Sequence, residues 1–369
     1  MPSSKSAVQQ RKKDIKFLTL TALISVAAFL IATRGQIIAD PELRTKMRSA
    51  ANLMDVAIKT VRQYRSVIGI PVSPDDINFT GLIGLRYSPI TTTIGDLGAK
   101  RTSTNPNFAA LVVYLLTQAG AQQGDAIAIG ASGSFPALII ATLSAAKAMG
   151  LYPVLICSLG ASQWGANDPE FTWVDIENCL IEAGVFPTEF RAVALSIGGD
   201  KDIGLEMPPE GRQVLIQKIN EHPGTFIYSD DLQENKQIRI RLYQRHAKNR
   251  KVPVFVSIGG NWVDLGEDPA VLKLTSGLNV IEKIPESESR GLLFEMAAQG
   301  MVVIHLLNIR DLALRFGLPW DPSPLPEPGT GYIFTHLTMR PIVSLPVLSA
   351  VYFGSIVCLF VFWRYISTN

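Results

Sequence analysis

The chain has 369 residues, 47% of them apolar and 18% charged, and a formal net charge of +2. That balance excludes a disordered chain and leaves room for one large core or two smaller ones. It also excludes a surface built on excess positive charge; no basic stripe interleaved with aromatic residues is present, so no nucleic-acid partner is expected.

In chain order, residues 1–14 carry Lys5, Arg11, Lys12 and Lys13 ahead of a first apolar run. Residues 15–33 are apolar apart from Lys16, and residues 342–363 contain no charge until Arg364. Each run approaches or reaches the length that crosses a bilayer, so both are expected to be transmembrane helices. The sequence Ala32-Thr33-Arg34 lacks a small-x-small cleavage site, which favours an uncleaved anchor over a signal peptide. Positive charge ahead of the first run predicts a cytoplasmic N-terminus and an extracytoplasmic globular part in a cell-membrane protein. Arg44, Lys46 and Arg48 weigh against that orientation.

Asp40-Pro41 reads as a cap and first-turn proline, and Leu43, Met47, Ala50, Met54, Ile58 and Val61 recur at helical spacing. An amphipathic helix is expected over 40–67, its apolar stripe fitting either its own domain or a partner subunit's helix. From 80 to 315, short apolar runs at 81–87, 126–129, 154–159, 192–197, 225–228, 254–258 and 301–307 alternate with helical patterns. The latter fall at 107–119, 137–149, 173–183, 210–220, 232–248 and 289–298. Such alternation predicts an α/β domain with a mostly parallel sheet and helices on both faces, flanked by the two terminal helices. Prolines 319, 322, 324, 326 and 328 make 316–332 a stiff tether.

In an open parallel sheet, ligands bind outside the carboxyl ends of the strands. The strand-end sequences GASGS (130–134), SLGASQWGAND (158–168), SIGGDKDIG (196–204) and SIGGNWVDLG (257–266) are therefore the candidate site. The last two share Ser-Ile-Gly-Gly, a hint of internal duplication. Gly130, Gly133, Gly198, Gly199, Gly259 and Gly260 let a backbone approach a ligand, and serve tight turns equally well. Beside them, Ser134, Ser162, Asn167 and Asp168 supply polar groups.

Ser132 sits in AIAIGASGSFPALIIAT (126–142), a strand running through small residues into a helix with Pro136 in its first turn. Three readings apply: an exposed nucleophile, an anion cradle at a helix start, and close strand-to-helix packing. As a nucleophile, Ser132 needs a base and an acid, and the order Ser132, Asp264, His305 is that of α/β-hydrolases, with Asp200 as a second candidate acid. Against it, His305 lies inside the apolar run MVVIHLLN, and Ser134 replaces the last glycine of the nucleophile turn. A second constellation is the loop 90–110, where Lys100, Arg101, Thr102, Ser103 and Thr104 lead into Asn105-Pro106. Cations and hydroxyls at a helix start suit carboxylates, the alternative being a hydrogen-bonded loop with a solvated Lys-Arg pair. His222, His246, His305 and His336 have no metal-ligand spacing, and neither a metal nor a cofactor is expected. Cys157 and Cys179 read as buried free thiols, with a disulfide between them as the alternative in an oxidising compartment.

Together, TSTNPNFAA (102–110), GASGSFPAL (130–138), GASQWGANDP (160–169) and SIGGDKDIG (196–204) resemble the poly-γ-glutamate system protein family of the PgsW type, over about residues 82–211. The resemblance implies a membrane-anchored accessory component in the synthesis, export or attachment of that capsule-like polyanion. Its implied partners are the membrane, other components of a poly-γ-glutamate synthesis complex, and the polyanionic γ-glutamyl polymer. It brings no catalytic residues with it. On this reading Lys100, Arg101 and Lys201 meet polymer carboxylates at the strand ends. The alternatives are a serine hydrolase or γ-glutamyl transferase using Ser132, and a non-catalytic structural subunit of the synthase complex.

Overall fold

The structure, a computed structural model, describes residues 4–34, 37–337, 339–341 and 345–368. It divides into two compact units: Met1–Pro41 with Thr338–Asn369, and Glu42–Leu337. Among the described residues the strands are β1 (Ile37–Ala39), β2 (Ala126–Ser132), β3 (Tyr152–Ser158), β4 (Ala194–Ser196), β5 (Thr225–Ile227), β6 (Val254–Ile258), β7 (Gly277–Asn279), β8 (Val302–Leu306) and β9 (Met339–Pro341).

The larger unit is α/β, with a seven-stranded sheet in the order β5-β4-β3-β2-β6-β8-β7. All its pairings are parallel except the edge pair β7–β8. The chain lays β2, β3, β4 and β5 side by side in one direction, then returns to place β6 on the other flank of β2. The reversal puts a switch point between β2 and β6, where the connections leave in opposite directions and a crevice opens at the carboxyl ends.

All seven residues of β2 are buried, which is why its sequence is a continuous apolar run rather than an alternating one. Ile127, Ile129 and Ala131 belong to one apolar cluster and Ala126 and Ala128 to the other, so successive residues feed the two faces of the sheet. The first face is covered by the helices Pro41–Val67, Asn107–Gln118 and Pro136–Met149, the second by Leu232–His246 and Leu292–Ala298. Helix Pro41–Val67 buries Leu43, Met47, Ala50, Met54, Ala57 and Val61 in the core of its own unit. Helix Pro136–Met149 begins on a proline whose fixed φ suits a first turn and stops at Gly150, in the left-handed region at φ 66°.

Several expectations change. Residues 81–87 form no strand, because their backbone pairs with another loop: Gly84 N–H donates to the Trp164 carbonyl at 3.2 Å and Leu85 N–H to Asn167 Oδ1 at 2.8 Å. Segment 316–332 is laid on the larger unit rather than left as a spacer. Asn78 Nδ2 donates to the Pro322 carbonyl at 2.8 Å, and Gly329 N–H donates to Asn107 Oδ1 at 2.9 Å. Cys157 and Cys179 are free and buried.

The smaller unit joins helices Ser4–Arg34 and Leu345–Thr368 and the antiparallel pair β1–β9. Among the described residues no helix is long and apolar enough to cross a membrane. This corrects the two transmembrane helices expected at 15–33 and 342–363, together with the cell-membrane localisation and the cytoplasmic and extracytoplasmic assignments built on them. The two apolar segments contact each other. Ser25 Oγ lies 3.0 Å from Tyr352 Oη, the rings of Phe17 and Trp363 are 5.5 Å apart, and Trp363 Nε1 donates to Asp14 Oδ1 at 3.1 Å. Part of the apolar surface that reads as lipid-facing in the sequence thus serves a helix pair. Residues 1–3 of segment 1–14 and residues 342–344 of segment 342–363 lie outside the described residues.

Candidate functional site

A cavity of about 890 Å³ opens at the carboxyl ends of the strands, over the switch point. Ser132 and Ser134 reach it from the end of β2, Ser158 and Ser162 from β3, Gly199 and Asp200 from β4, Gly260 and Asn261 from β6, and Arg310 from the segment after β8. Lys100 and Trp320 complete the wall. Four of the glycine-bearing turns picked out in the sequence therefore converge, because parallel strands in one sheet end on the same side.

Ser132 sits at the end of β2, is 5% exposed, and has an Oγ with no hydrogen-bond partner among the described residues. Gly259, at φ +81°, passes so close that a Cβ there would lie 2.6 Å from that oxygen. The hydrolase-like relay is not assembled, because no hydrogen bond joins Ser132, Asp264 and His305 among the described residues. His305 is in register with Ser257, itself in register with Gly130, and both imidazole nitrogens lack partners. Burial pushes its pKa down to about 4. Asp264 is fully buried over Gly130, where a Cβ would lie 2.3 Å from Asp264 Oδ2. Burial raises its carboxyl to about 6, against the Arg239 charge and the Asn261 and Ser257 side chains, which favour the ionised form. Ser132 borders the cavity, whereas Asp264 and His305 are buried and do not line it.

Lys100 and Arg101 part company. Lys100 is 2% exposed, and its ammonium donates to the Ser134 carbonyl and, at 2.8 Å, to Ser162 Oγ, while lying 3.7 Å from the centre of the Phe135 ring. Burial lowers its pKa to about 7, only partly offset by the charge of Asp96. No carboxylate forms an ion pair with it among the described residues. Arg101 instead pairs with Asp321, Nε donating to Oδ1 at 2.7 Å. Thr102 Oγ1 accepts from Asp321 N–H at 2.7 Å, Ser103 and Thr104 donate to the Lys100 and Arg101 carbonyls, and Asn105 Oδ1 accepts from Asn107 N–H. Arg101 and Thr102 thus tie a short helix, Leu97–Ser103, to Asp321 of segment 316–332, while Ser103, Thr104 and Asn105 bond locally; none of the five lines the cavity.

Of the other candidates, Ser134, Ser162, Gly199 and Gly260 border the cavity. Gly133 packs against the Leu159 carbonyl, and Gly198, at φ 82°, against Ser158. Asn167 ties Leu85 and Thr91 together, Asp168 pairs with Arg65 at 3.2 Å, and Lys201 is exposed away from the cavity wall. The polar network the sequence did not disclose centres on Asp202 and Arg239. Arg239 Nη2 donates to Asp202 Oδ2 at 2.7 Å and to Ser196 Oγ at 2.9 Å, while Ser158 and Ser196 hydroxyls donate to Asp202 Oδ1. The duplicated Ser-Ile-Gly-Gly was the available signal. Each copy is followed, six or seven residues after its serine, by an aspartate folded back into the protein: Asp202 after Ser196 and Asp264 after Ser257.

No protein-family model, curated protein or solved structure matches this chain, so the resemblance to the poly-γ-glutamate system proteins rests on the four sequence motifs alone.

Proposed function

We propose that the larger unit binds a γ-glutamyl polymer or its precursor in the strand-end crevice, as an accessory component of that polymer's synthesis, export or attachment. The observation that carries this reading is an exposed guanidinium, without a hydrogen-bond or ion-pair partner among the described residues, beside a hydroxyl-lined cavity. Arg310 borders the cavity, lies 5.4 Å from the Trp320 ring centre, and forms no hydrogen bond or ion pair among the described residues. Three acidic residues also border the cavity: Asp96 accepts from Ala99 N–H at 2.7 Å, Glu206 accepts from Asp200 N–H at 2.8 Å, and Asp200 itself follows β4. A polymer carboxylate can pair with the exposed Arg310 guanidinium, and the half-buried Ser134 hydroxyl suits the donors and acceptors of its amide links.

Trp262 and Trp320 border the same cavity and report its occupancy by fluorescence. Titration with a γ-glutamyl oligomer is expected to quench them, with affinity falling as salt rises, because Arg310 is exposed. Arg310→Ala is expected to weaken binding by about tenfold or more, the loss of one charged hydrogen bond. Saturable binding that ignores both salt and Arg310→Ala would refute the reading.

A further inference from the structure

Lys100 Nζ and Ser162 Oγ lie 2.8 Å apart, and both residues border the cavity. The lysine is held on three sides, by the Ser134 carbonyl, the Phe135 ring and the Ser162 hydroxyl. Ser162 is fixed in turn: its N–H donates to Ser134 Oγ at 3.0 Å, and its carbonyl accepts from Gly165 N–H at 2.9 Å. An ammonium in this place is withdrawn from bulk water and has no paired carboxylate, the charge of Asp96 offsetting the burial only in part, conditions that favour the neutral amine. A neutral amine fits these contacts, one N–H donating to the Ser134 carbonyl and the lone pair accepting from the Ser162 hydroxyl. Ser132 has no such base, although its turn looks more like a nucleophile's in the sequence.

We propose that Ser162 and Lys100 form a nucleophile and base that cleave γ-glutamyl amide bonds, the substrate class resting on the binding reading above. Lys100 Nζ takes the proton of Ser162 Oγ as that oxygen bonds to the amide carbonyl carbon. The carbon–nitrogen bond then breaks, and Lys100 returns the proton to the leaving nitrogen, which departs as an amine. A water, or an acceptor amine, gives a proton to Lys100 and attacks the ester on Ser162. The γ-glutamyl group leaves as acid or new amide, and Ser162 Oγ recovers its proton from Lys100.

The full chain treated with a fluorophosphonate, with adducts mapped by peptide mass, tests the pair without reference to substrate. The adduct is expected on Ser162, forming faster as pH rises through about 7 as the amine loses its proton. Lys100→Met and Lys100→Arg, neither able to act as base, are expected to slow it by about 100-fold or more, and Ser162→Ala to abolish it. Thermal unfolding of each variant shows whether the fold is kept. Because substitution of a buried lysine risks the fold, the wild-type pH profile stands as a second reading. Absence of an adduct on Ser162, an adduct on Ser132 alone, a rate independent of pH near neutrality, or full labelling of a folded Lys100 variant overturns the pair. A γ-glutamyl oligomer is expected to protect Ser162. Labelling at an unchanged rate in its presence keeps the pair and overturns its γ-glutamyl substrate.

Discussion

At Gly130 the space of a side chain is taken by the Asp264 carboxylate, so Gly130→Ala sets a methyl against it. Denaturant melts are expected to show a loss of about 1–3 kcal/mol, recovered in part when Asp264→Ala is added. Asp202 and Arg239 are similarly intolerant of separation, both being buried. Asp202→Asn or Arg239→Met leaves a buried charge without its partner and is expected to cost about 3–5 kcal/mol, the double variant less than the sum. Asp264 and His305 act on stability through pH, in opposite directions. The folded protein holds a proton on Asp264 that the unfolded chain releases between its usual 3.8 and about 6, so this residue's contribution falls as pH rises through that window. The unfolded chain holds a proton on His305 that the folded protein releases between about 4 and the usual 6.5, so its contribution rises with pH. The two slopes, each about 1.4 kcal/mol per pH unit at most, oppose each other between about pH 4 and 6. Melts across this range are expected to show stability rising more steeply with pH in Asp264→Asn than in wild type, and falling relative to wild type in His305→Gln; unchanged slopes in both would remove the assigned shifts.

At the scale of elements, the alternation of strand and helix was legible because each long strand is buried on both faces and so reads as an apolar run. The three-residue edge strand β7 carries no such run. Arg239 was illegible for a related reason: helix Leu232–His246 is largely polar, and a charge on it reads as solvated until the fold places it under the ends of β3 and β4. Lys100 and Arg101 are neighbours in sequence yet serve different ends, because consecutive residues on a helix point in different directions. One enters the cavity wall and the other clamps Asp321. The clamp fastens segment 316–332, from which Trp320 reaches the cavity. Asp321→Ala is therefore expected to speed hydrogen exchange around residues 318–330 and to weaken the tryptophan response to ligand, while leaving exchange in β2 and β6 unchanged. Protection retained throughout that segment would show that the other contacts suffice to hold it.

At the scale of the molecule, both apolar clusters and the whole seven-stranded sheet lie within Glu42–Leu337. That segment is expected to keep its fold and a single cooperative unfolding transition when expressed without the terminal unit. An apolar run reports apolar surroundings, not their identity, which is why the terminal segments looked alike for lipid and for each other. Likewise, a glycine-rich strand end announces a corner, and only the strand order decides which corners meet. On the proposed function, the corners gathered over the switch point hold a γ-glutamyl chain. A crystal structure of the full chain with a γ-glutamyl oligomer tests it most directly. Ligand density is expected inside the cavity, with a carboxylate on Arg310 and an amide carbonyl facing Ser162. Density for the oligomer on another surface, with this crevice filled only by water, would contradict it.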